Sequence, residues 1–446
     1  MRQLVDRWAE RMVVQALGRL EHGRLTVRTG TGTRVFGSGG SPAATLDIHR
    51  GRFFRRIVTG GEIGLGEAYM DGDWSTPDLV ALASLLLANR ETLARTGSMA
   101  GWLPRMRDQF QHRRRDNSRP GSRSNIRRHY DLGDDFFSLF LDSNLLYSCA
   151  VYDDASDSLE QAQVNKLETI CRRLQLGPAD RVLEIGTGWG GFALYAATRF
   201  GCHVTTTTIS PAQYAYARDL FARAGAAGRR IDLRRDDYRE LSGRFDKIVS
   251  IEMFEAVGVR HYDEFFAACD RLLTPDGAML LQTITVDDWR FAEYLGTPSW
   301  IAKYIFPGAE LASVADILAS LGRVTRLGLY HAQQIGVHYA RTLHQWRERF
   351  HRQLDEVRRQ GFDERFIRMW DLYLAYCEAA FAARHIGNVQ LLLAKSARST
   401  RLSGDPIIPT PASSDLVPHG DMPQPRPADP IDATLGGGAQ RAGRVR

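Results

Sequence analysis

The sequence predicts an α/β fold in which a doubly wound parallel sheet follows a smaller α+β domain. From residue 181 onward, short apolar runs typical of β-strands alternate with runs of helical spacing. The first of these strands leads directly into a glycine-rich turn. The 446 residues, 43% hydrophobic and 25% charged, are enough to build two domains with separate cores.

Composition narrows the class of protein. The five cysteines are widely spaced and form no CxxC pair or zinc-like pattern with histidine, so we expect a reducing cytoplasm and no metal site. The net charge of +6 favours an anionic partner, which can be nucleic acid, phospholipid headgroups or acidic metabolites. We expect no signal peptide and no membrane span, because charges interrupt every long apolar stretch. Any work on a membrane is therefore expected at its surface.

The first domain is predicted over residues 1–104. Apolar residues recur at helical spacing from Met1 to about Leu20, which indicates a helix packed on its own domain. The alternative is a basic amphipathic helix lying on lipid. Residues 24–60 contain β-type runs broken by glycine, and the segment from Gly64 predicts a loop before a helix that starts near Pro77.

The remaining boundaries follow from composition. Residues 105–124 form an arginine-rich linker, interpreted as a solvated tether or as a phosphate-binding patch for lipid headgroups. No nucleic-acid motif accompanies these arginines, so we expect no nucleic-acid partner. Residues 125–398 form the second domain. Residues 399–446, rich in Pro, Gly, Ala and Asp, are predicted to be a disordered tail.

The glycine-rich turn gives the strongest cofactor signal. It reads EIGTGWG from Glu184 to Gly190, and its glycines let the main chain approach a ligand. A dinucleotide fingerprint spaces its glycines differently and needs no acid within the strand, whereas Glu184 can meet an amino-acid ammonium group. This favours S-adenosylmethionine as the cofactor. The end of the second strand, Thr207–Gln213, lacks the ribose-binding acid of many nucleotide sites, so hydroxyls and one amide must replace it.

A series of further motifs resembles the cyclopropane-fatty-acyl-phospholipid synthases and the mycolic acid cyclopropane synthases. The resemblance covers about residues 125–397. The motifs, in chain order, are RHYDLGDDFFSLFLDS (128–143), YSCA (147–150), the glycine-rich turn, TIS with a glutamine three residues later (208–213), DYR (237–239), IEMFEAVGV (251–259), WIAKYIFPG (300–308), GVHY (336–339) and YCEAAF (376–381). In the first domain, GEAYMDGDW (66–74) is similar to the N-terminal lipid-binding region of longer family members.

This resemblance implies a class I, Rossmann-like methyltransferase that uses S-adenosylmethionine. The implied reaction adds a carbon to the double bond of an unsaturated phospholipid acyl chain: the alkene attacks the sulfonium methyl, and the carbocation loses a proton as a cyclopropane ring closes. The chemistry requires a dry apolar tunnel and a base near the cation, which in the family is a bound bicarbonate ion. The resemblance also implies a cytoplasmic protein attached peripherally to the inner membrane surface, and a homodimer.

The resemblance assigns roles to individual residues. The bicarbonate ion would be held by Cys149, Glu255, the main chain of Ile284 and Tyr339. Cys377 matches a family cysteine, although a buried apolar role also fits it. The cofactor would contact Tyr147, Ser148, Glu184, Gly186, Thr187, Gly188, Trp189, Gly190, Thr208, Ser210, Gln213, Tyr238 and Arg239.

Two positions depart from the family pattern. Gln282, which we include among the catalytic residues, and Ala256 both stand where many members have histidine. Glutamine cannot carry a positive charge, so it would hold an anion less firmly. Without ring closure, the same first step gives a methyl-branched or methylene lipid, and a lipid C-methyltransferase is therefore the nearest alternative. Methylation of a small soluble amine or phenol and a non-enzymatic lipid-binding module are the other two alternatives.

Overall fold

The computed structural model of the protein describes residues 2–96, 132–297 and 299–395. The predicted linker 105–124 and the predicted tail 399–446 lie outside these described residues. Within the described ranges, no helix combines the length and the apolar character that crossing a bilayer requires.

Residues 2–96, here called the N-terminal unit, surround a four-stranded sheet with the order β2-β1-β3-β4. Its elements are α1 (Arg2–Leu17), β1 (Gly23–Thr29), β2 (Gly32–Gly39), β3 (Ala43–Ile48), α2 (Arg52–Met70), β4 (Trp74–Ser75), α3 (Leu79–Ala88) and α4 (Arg90–Thr96). The predicted first helix is confirmed, and Ala9, Val13 and Leu17 are buried on its inner face. This arrangement supports the interpretation that the helix packs on its own unit. Trp8 on this helix is 52% exposed.

The prediction for residues 52–70 is wrong. We expected β-type runs up to residue 60 and a loop from Gly64, whereas α2 occupies this whole segment with a kink at Gly61 (φ +54°, ψ −131°). The glycines that suggested a loop serve close packing instead. A Cβ atom on Gly66 would lie 2.4 Å from the indole ring of Trp300, so only glycine lets that ring approach the helix.

Residues 132–395, here called the methyltransferase unit, contain a seven-stranded sheet. Its strands are β5 (Arg181–Ile185), β6 (His203–Thr207), β7 (Ile231–Arg234), β8 (Phe245–Ile251), β9 (Leu273–Thr285), β10 (Leu327–Gln334) and β11 (Gly387–Lys395). Its α-helices are α5 (Asp134–Ser138), α6 (Leu159–Arg173), α7 (Gly191–Arg199), α8 (Pro211–Arg223), α9 (Gly225–Gly228), α10 (Tyr262–Leu272), α11 (Phe291–Gly296), α12 (Trp300–Tyr304), α13 (Val314–Val324), α14 (Gly336–Arg352), α15 (Leu354–Arg359) and α16 (Glu364–Ala382). Short 3₁₀ turns occupy Tyr238–Glu240, Phe254–Ala256, Val259–His261 and Asp288–Arg290.

The strand order is β10-β11-β9-β8-β5-β6-β7, and the strands from β5 to β9 are parallel as predicted. Strand β11 runs antiparallel between β9 and β10, which the strand pattern of the sequence did not predict. Successive residues of β5 face opposite sides of the sheet, so Val182 packs in one apolar cluster and Leu183 in the other. The sheet is therefore mostly parallel and covered on both faces, as a doubly wound α/β fold requires.

Polar and apolar contacts join the two units. Lys303 Nζ lies 2.7 Å from Glu67 Oε1, and Arg365 Nε lies 3.0 Å from Asp71 Oδ1. Helix α16 places Ala375, which is fully buried, in the apolar core of the N-terminal unit. These contacts fix the N-terminal unit against α12 and α16 of the methyltransferase unit.

Candidate active site

A cavity of about 900 Å³ lies at the edge of the sheet where the parallel strands end. Most of the residues predicted for the site line it: Tyr147, Ser148, Glu184, Gly186, Thr187, Gly188, Trp189, Thr208, Gln213, Tyr238, Arg239, Glu255, Ile284, Tyr339 and Cys377. Four other predicted residues are buried behind this lining: Cys149, Gly190, Ser210 and Gln282. The cavity also continues between the two units, where Phe53, Leu65 and Leu82 line it.

The glycine-rich turn forms one wall of the cavity. Gly186 and Gly188 both have positive φ values, +103° and +54°, which favour glycine. A Cβ atom on Gly188 would meet no protein atom within 4 Å and would enter the open space. Gly190 has a different role, because its Cβ would lie 2.7 Å from the ring of Phe221. The turn therefore leaves room for a ligand at Gly188, as close approach of a cofactor requires.

Glu184 lies at the end of β5, buried beside this turn. The hydroxyl of Thr206 donates to its Oε2 atom over 2.5 Å. Burial raises the pKa of Glu184 to about 8, although the Thr206 hydrogen bond acts in the opposite direction. A cation placed beside this carboxyl group would favour its ionised form. The residue thus fits the ammonium group of S-adenosylmethionine.

The segment that follows β6 supplies further polar groups. The Thr208 hydroxyl donates to Gln213 Oε1 over 2.8 Å, and both side chains line the cavity. Ser210 instead caps α8, accepting from the main-chain nitrogen of Gln213 at 3.3 Å. These hydroxyls and the amide occupy the place where many nucleotide sites have a ribose-binding acid, as the sequence predicted.

Tyr238 and Arg239 follow β7 and complete this side of the cavity. Arg239 Nη2 donates to Asp237 Oδ2 over 2.7 Å, and its guanidinium carbon lies 5.3 Å from the centre of the Tyr238 ring. Because of the hydrogen bond to Asp237, the pKa of Arg239 is raised above its usual value. The guanidinium is therefore fixed and charged.

A second polar centre lies around Glu252, at the end of β8. Glu252 has a positive φ of +48°, which is uncommon for a residue other than glycine and is often found at functional sites. Its Oε1 atom accepts from Gln282 Nε2 (2.8 Å), Asn388 Nδ2 (2.6 Å) and the main-chain nitrogen of Cys149 (2.9 Å). Its Oε2 atom accepts from the hydroxyl of Tyr339 (2.7 Å). Four donors thus converge on one carboxylate that borders the cavity.

These donors include groups that the family resemblance assigned to bicarbonate. Cys149, Gln282 and Tyr339 come together as expected, but they converge on the side chain of Glu252. The Cys149 thiol donates to the carbonyl oxygen of Ala150 at 3.2 Å, so it too is engaged. The residues present do not fit a bound bicarbonate ion, because a carboxylate of the chain itself already accepts their hydrogen bonds.

Glu255 has a different environment from Glu252. Its Oε1 atom accepts from the Ile284 main-chain nitrogen (2.6 Å) and from the Thr283 hydroxyl (3.0 Å). Burial, and then the neighbouring charge of Glu252, raise the pKa of Glu255 to about 8. At that pKa the carboxyl group of Glu255 is mostly protonated at neutral pH.

Aromatic rings form another part of the cavity wall. Tyr147, Phe306, Tyr339, Tyr373 and Phe381 line the cavity. The hydroxyls of Tyr147 and Tyr373 are hydrogen-bonded to each other at 2.8 Å, which fixes the two rings relative to each other. Aromatic faces attract cations, and such a wall can stabilise a carbocation.

Sequence reasoning missed Glu252 and Asn388. Glu252 stands in the IEMFEAVGV motif, in which the family resemblance assigned a role only to Glu255, three residues later. An acid at the carboxyl end of a buried parallel strand was a signal that could have identified it. Asn388 had no such signal, because it belongs to the antiparallel strand β11, which pairs with β9 from the far end of the chain.

Comparison with known proteins gives concordant matches. The family model described as mycolic acid cyclopropane synthetase matches residues 117–391. The chain is 39% identical to the tuberculostearic acid methyltransferase UfaA1 of Mycobacterium tuberculosis, covering 83% of this chain and 87% of that protein. It is 38% identical to the cyclopropane-fatty-acyl-phospholipid synthase of Escherichia coli K12, covering 80% of this chain and 89% of that protein. Among solved structures, the mycolic acid cyclopropane synthase CmaA1 complexed with SAH and CTAB matches with a TM-score of 0.57 and 30% identity, over 61% of this chain and 98% of that one.

Proposed function

This chain belongs to the mycolic acid cyclopropane synthetase family of S-adenosylmethionine-dependent methyltransferases, and from this premise we propose that it transfers a carbon to the double bond of an unsaturated phospholipid acyl chain. The observation that carries the proposal is the Glu252 carboxylate, held by four donors in a cavity that also contains the glycine-rich turn. The proposed site of action is the membrane surface.

The first step forms one carbon–carbon bond and breaks one carbon–sulfur bond. S-adenosylmethionine supplies an electrophilic methyl group and leaves as S-adenosylhomocysteine. In our proposal, Glu184 and the hydroxyls after β6 orient the cofactor, and the aromatic wall excludes water from the alkene. The π electrons of the alkene form the new bond, which leaves a carbocation in the acyl chain. The rings of Tyr147, Tyr339 and Phe381 stabilise this positive charge.

The second step is loss of a proton, and we propose Glu252 as the base. It needs no external anion, because its own carboxylate borders the cavity. The Tyr339 hydroxyl and the Gln282 and Asn388 amides hold it in one orientation. Glu255 is unsuited to this role at neutral pH, since its raised pKa keeps the proton on the carboxyl group. Bicarbonate takes no part in the proposed steps.

We propose a cyclopropane as the product, formed when the proton leaves the newly added methyl group. A second candidate is an open-chain methyl-branched alkene or methylene lipid, formed when the carbocation, with or without a preceding hydride shift, loses a different proton. The similarity to a tuberculostearic acid methyltransferase favours this candidate.

The test is lipid analysis of a host that expresses this chain and is fed methyl-labelled methionine. Gas chromatography with mass spectrometry should detect a labelled acyl chain heavier by one carbon unit, absent with Glu184→Ala. Mild hydrogenation then separates the products: a cyclopropane resists it, whereas a methylated alkene or a methylene group becomes saturated. If no labelled lipid forms, the proposal is wrong and soluble acceptors are the next to assay.

A further inference from the structure

The cavity has a second polar end that the proposed reaction does not use. Arg90, at the start of α4, and Arg290, just before α11, both line this end together with His385. Trp289, next to Arg290, is 71% exposed, so this end lies close to the protein surface. One arginine belongs to the N-terminal unit and the other to the methyltransferase unit.

His385 orients the guanidinium of Arg290. Arg290 Nη1 donates to the main-chain oxygen of His385 over 3.0 Å, and the two ring nitrogens of His385 lie 3.0 and 3.1 Å from Nη1 and Nη2. Burial, together with the charges of Arg290 and Arg90, lowers the pKa of His385 to about 4. The ring is therefore uncharged at neutral pH, and the two arginines carry the positive charge here.

The two arginines are not neutralised by close acidic partners. Within residues 2–96, 132–297 and 299–395, the one carboxylate within 4 Å of either guanidinium is Glu91, 3.4 Å from Arg90. Asp287 and Glu293 act on Arg290 only from beyond that distance. Two guanidinium groups that face a common space repel each other unless an anion lies between them, and their planar donors match a phosphate group.

We propose that Arg90 and Arg290 together bind the phosphate group of a phosphate-bearing acyl lipid, whose chain extends along the cavity to Glu252. This inference rests on the proposed function and names how the substrate is held. Apolar side chains such as Leu86 and Ile301 line the same cavity, as an acyl chain requires.

Two kinds of substrate share this chemistry. The phosphate can be the headgroup of a phospholipid in a membrane, or it can belong to a soluble acyl thioester of coenzyme A. Both place a phosphate beyond the carboxyl end of an acyl chain, and the experiment is arranged to distinguish them.

The test compares Arg90→Gln and Arg290→Gln with the wild type and with Arg352→Gln, a control at an exposed position on α14. The substrates are vesicles of dioleoyl phosphatidylglycerol, oleoyl coenzyme A, and methyl oleate in neutral detergent micelles. We expect each cavity variant to lose at least tenfold in kcat/KM on the phosphate-bearing substrate that the enzyme uses, because a charge-assisted hydrogen bond is lost. Activity on methyl oleate should change less than threefold. A loss confined to vesicles identifies the membrane lipid, and a loss confined to oleoyl coenzyme A identifies the soluble thioester.

Two outcomes would overturn the inference: equal losses on methyl oleate and on the phosphate-bearing substrates, or no loss on any substrate. Arg90→Gln is the safer variant, because within the described residues its guanidinium donates a hydrogen bond only to Glu91, and thermal melting checks that both variants fold. Calorimetric binding of dihexanoyl phosphatidylglycerol below its micelle concentration gives a readout without activity. The variants could bind this lipid more weakly than the wild type while the wild type itself methylates no lipid. That result would contradict the proposed function but would still support the phosphate site.

Discussion

The two halves of the cavity differ in what they offer to a ligand. The half built by the methyltransferase unit presents the carboxyl groups of Glu184, Glu252 and Glu255, each fixed by hydrogen bonds. The half built by residues 2–96 is lined mainly by leucine and other apolar side chains, and its charged members are Glu62 and Arg90. The reacting groups therefore lie on one unit, while the other unit extends the space for a long apolar chain.

The two halves of the cavity should therefore control different properties of the reaction. Changes on the methyltransferase side should affect the chemical step or cofactor binding whatever the length of the acyl chain. Changes on the N-terminal side should affect which chain is accepted and leave cofactor binding unaltered. The following predictions test that division, beginning with the largest effect.

Replacement of Glu252 by glutamine should abolish most of the activity. The variant keeps the shape of the side chain but removes the proposed base, and loss of a general base costs about 10² to 10⁴ in rate. Single-turnover assays with labelled S-adenosylmethionine measure this loss. Cofactor affinity should stay within a few-fold of wild type, because Glu252 is not among the proposed cofactor contacts.

Glu255→Gln is the matched control for this experiment. Its pKa of about 8 means that the carboxyl group is mostly protonated at neutral pH, and an amide resembles that neutral form. We expect less than a tenfold loss. If Glu255→Gln were as inactive as Glu252→Gln, the unequal roles assigned to the two acids would be wrong.

Gly188→Val should prevent cofactor binding. The φ of +54° is strained for a β-branched residue, and the added side chain would enter the space beside the turn that we assign to the cofactor. We expect affinity for S-adenosylhomocysteine, measured by calorimetry, to fall more than 100-fold. Thermal melting without ligand shows whether the fold survives. Unaltered affinity in a folded variant would exclude this space as the cofactor site.

Ala83→Trp tests the N-terminal half of the cavity. Ala83 lines the cavity from α3, and a tryptophan there would occupy space for roughly three methylene groups. At about 0.8 kcal/mol for each buried methylene, kcat/KM for a long acyl chain should fall roughly 50-fold, while a chain shorter by three or four carbons is affected less. Ala88→Trp, at an exposed position on the same helix, is the control. Equal losses on long and short chains would show that this half does not measure chain length.

The sequence predicted the methyltransferase side far better than the N-terminal side. The glycine-rich turn and the hydroxyls after β6 lie where the strand pattern placed them, because local sequence and strand order determine both. Glu252 escaped notice because its importance depends on Asn388 and Tyr339, which are 136 and 87 residues away. Contacts of that separation leave no pattern in a local stretch of sequence.

On the N-terminal side, the glycines of α2 were misleading for a related reason. Gly66 indicates a turn if only its neighbours are considered, whereas its actual constraint is the ring of Trp300, more than 230 residues away. The continuation of the cavity between the two units could not be predicted either, because its lining comes from segments far apart in the sequence. Likewise, no pattern in the sequence indicated that Arg90 and Arg290 line the same cavity.

The smallest expected effect concerns pH and again separates the two sides. Glu184 has a pKa of about 8 because it is buried, so it carries a proton at neutral pH in the free protein. In the unfolded chain it ionises near pH 4.5, so folding takes up a proton between these values. The contribution of Glu184 to stability therefore falls as the pH rises from about 4.5 to about 8 and is constant above that. Glu184→Gln should flatten this part of the stability profile.

Cofactor binding should show the opposite dependence. If the ammonium group of the cofactor pairs with ionised Glu184, binding releases a proton below pH 8, and affinity rises with pH by several-fold, at most about tenfold, between pH 7 and pH 8. Calorimetry in two buffers of different ionisation enthalpy measures the released proton. Glu184→Gln should bind more weakly and lose this dependence, whereas Ala83→Trp should retain it, because its change lies in the other half of the cavity. A slope that persists in Glu184→Gln would assign the titration to another group, with Glu255 the first to test.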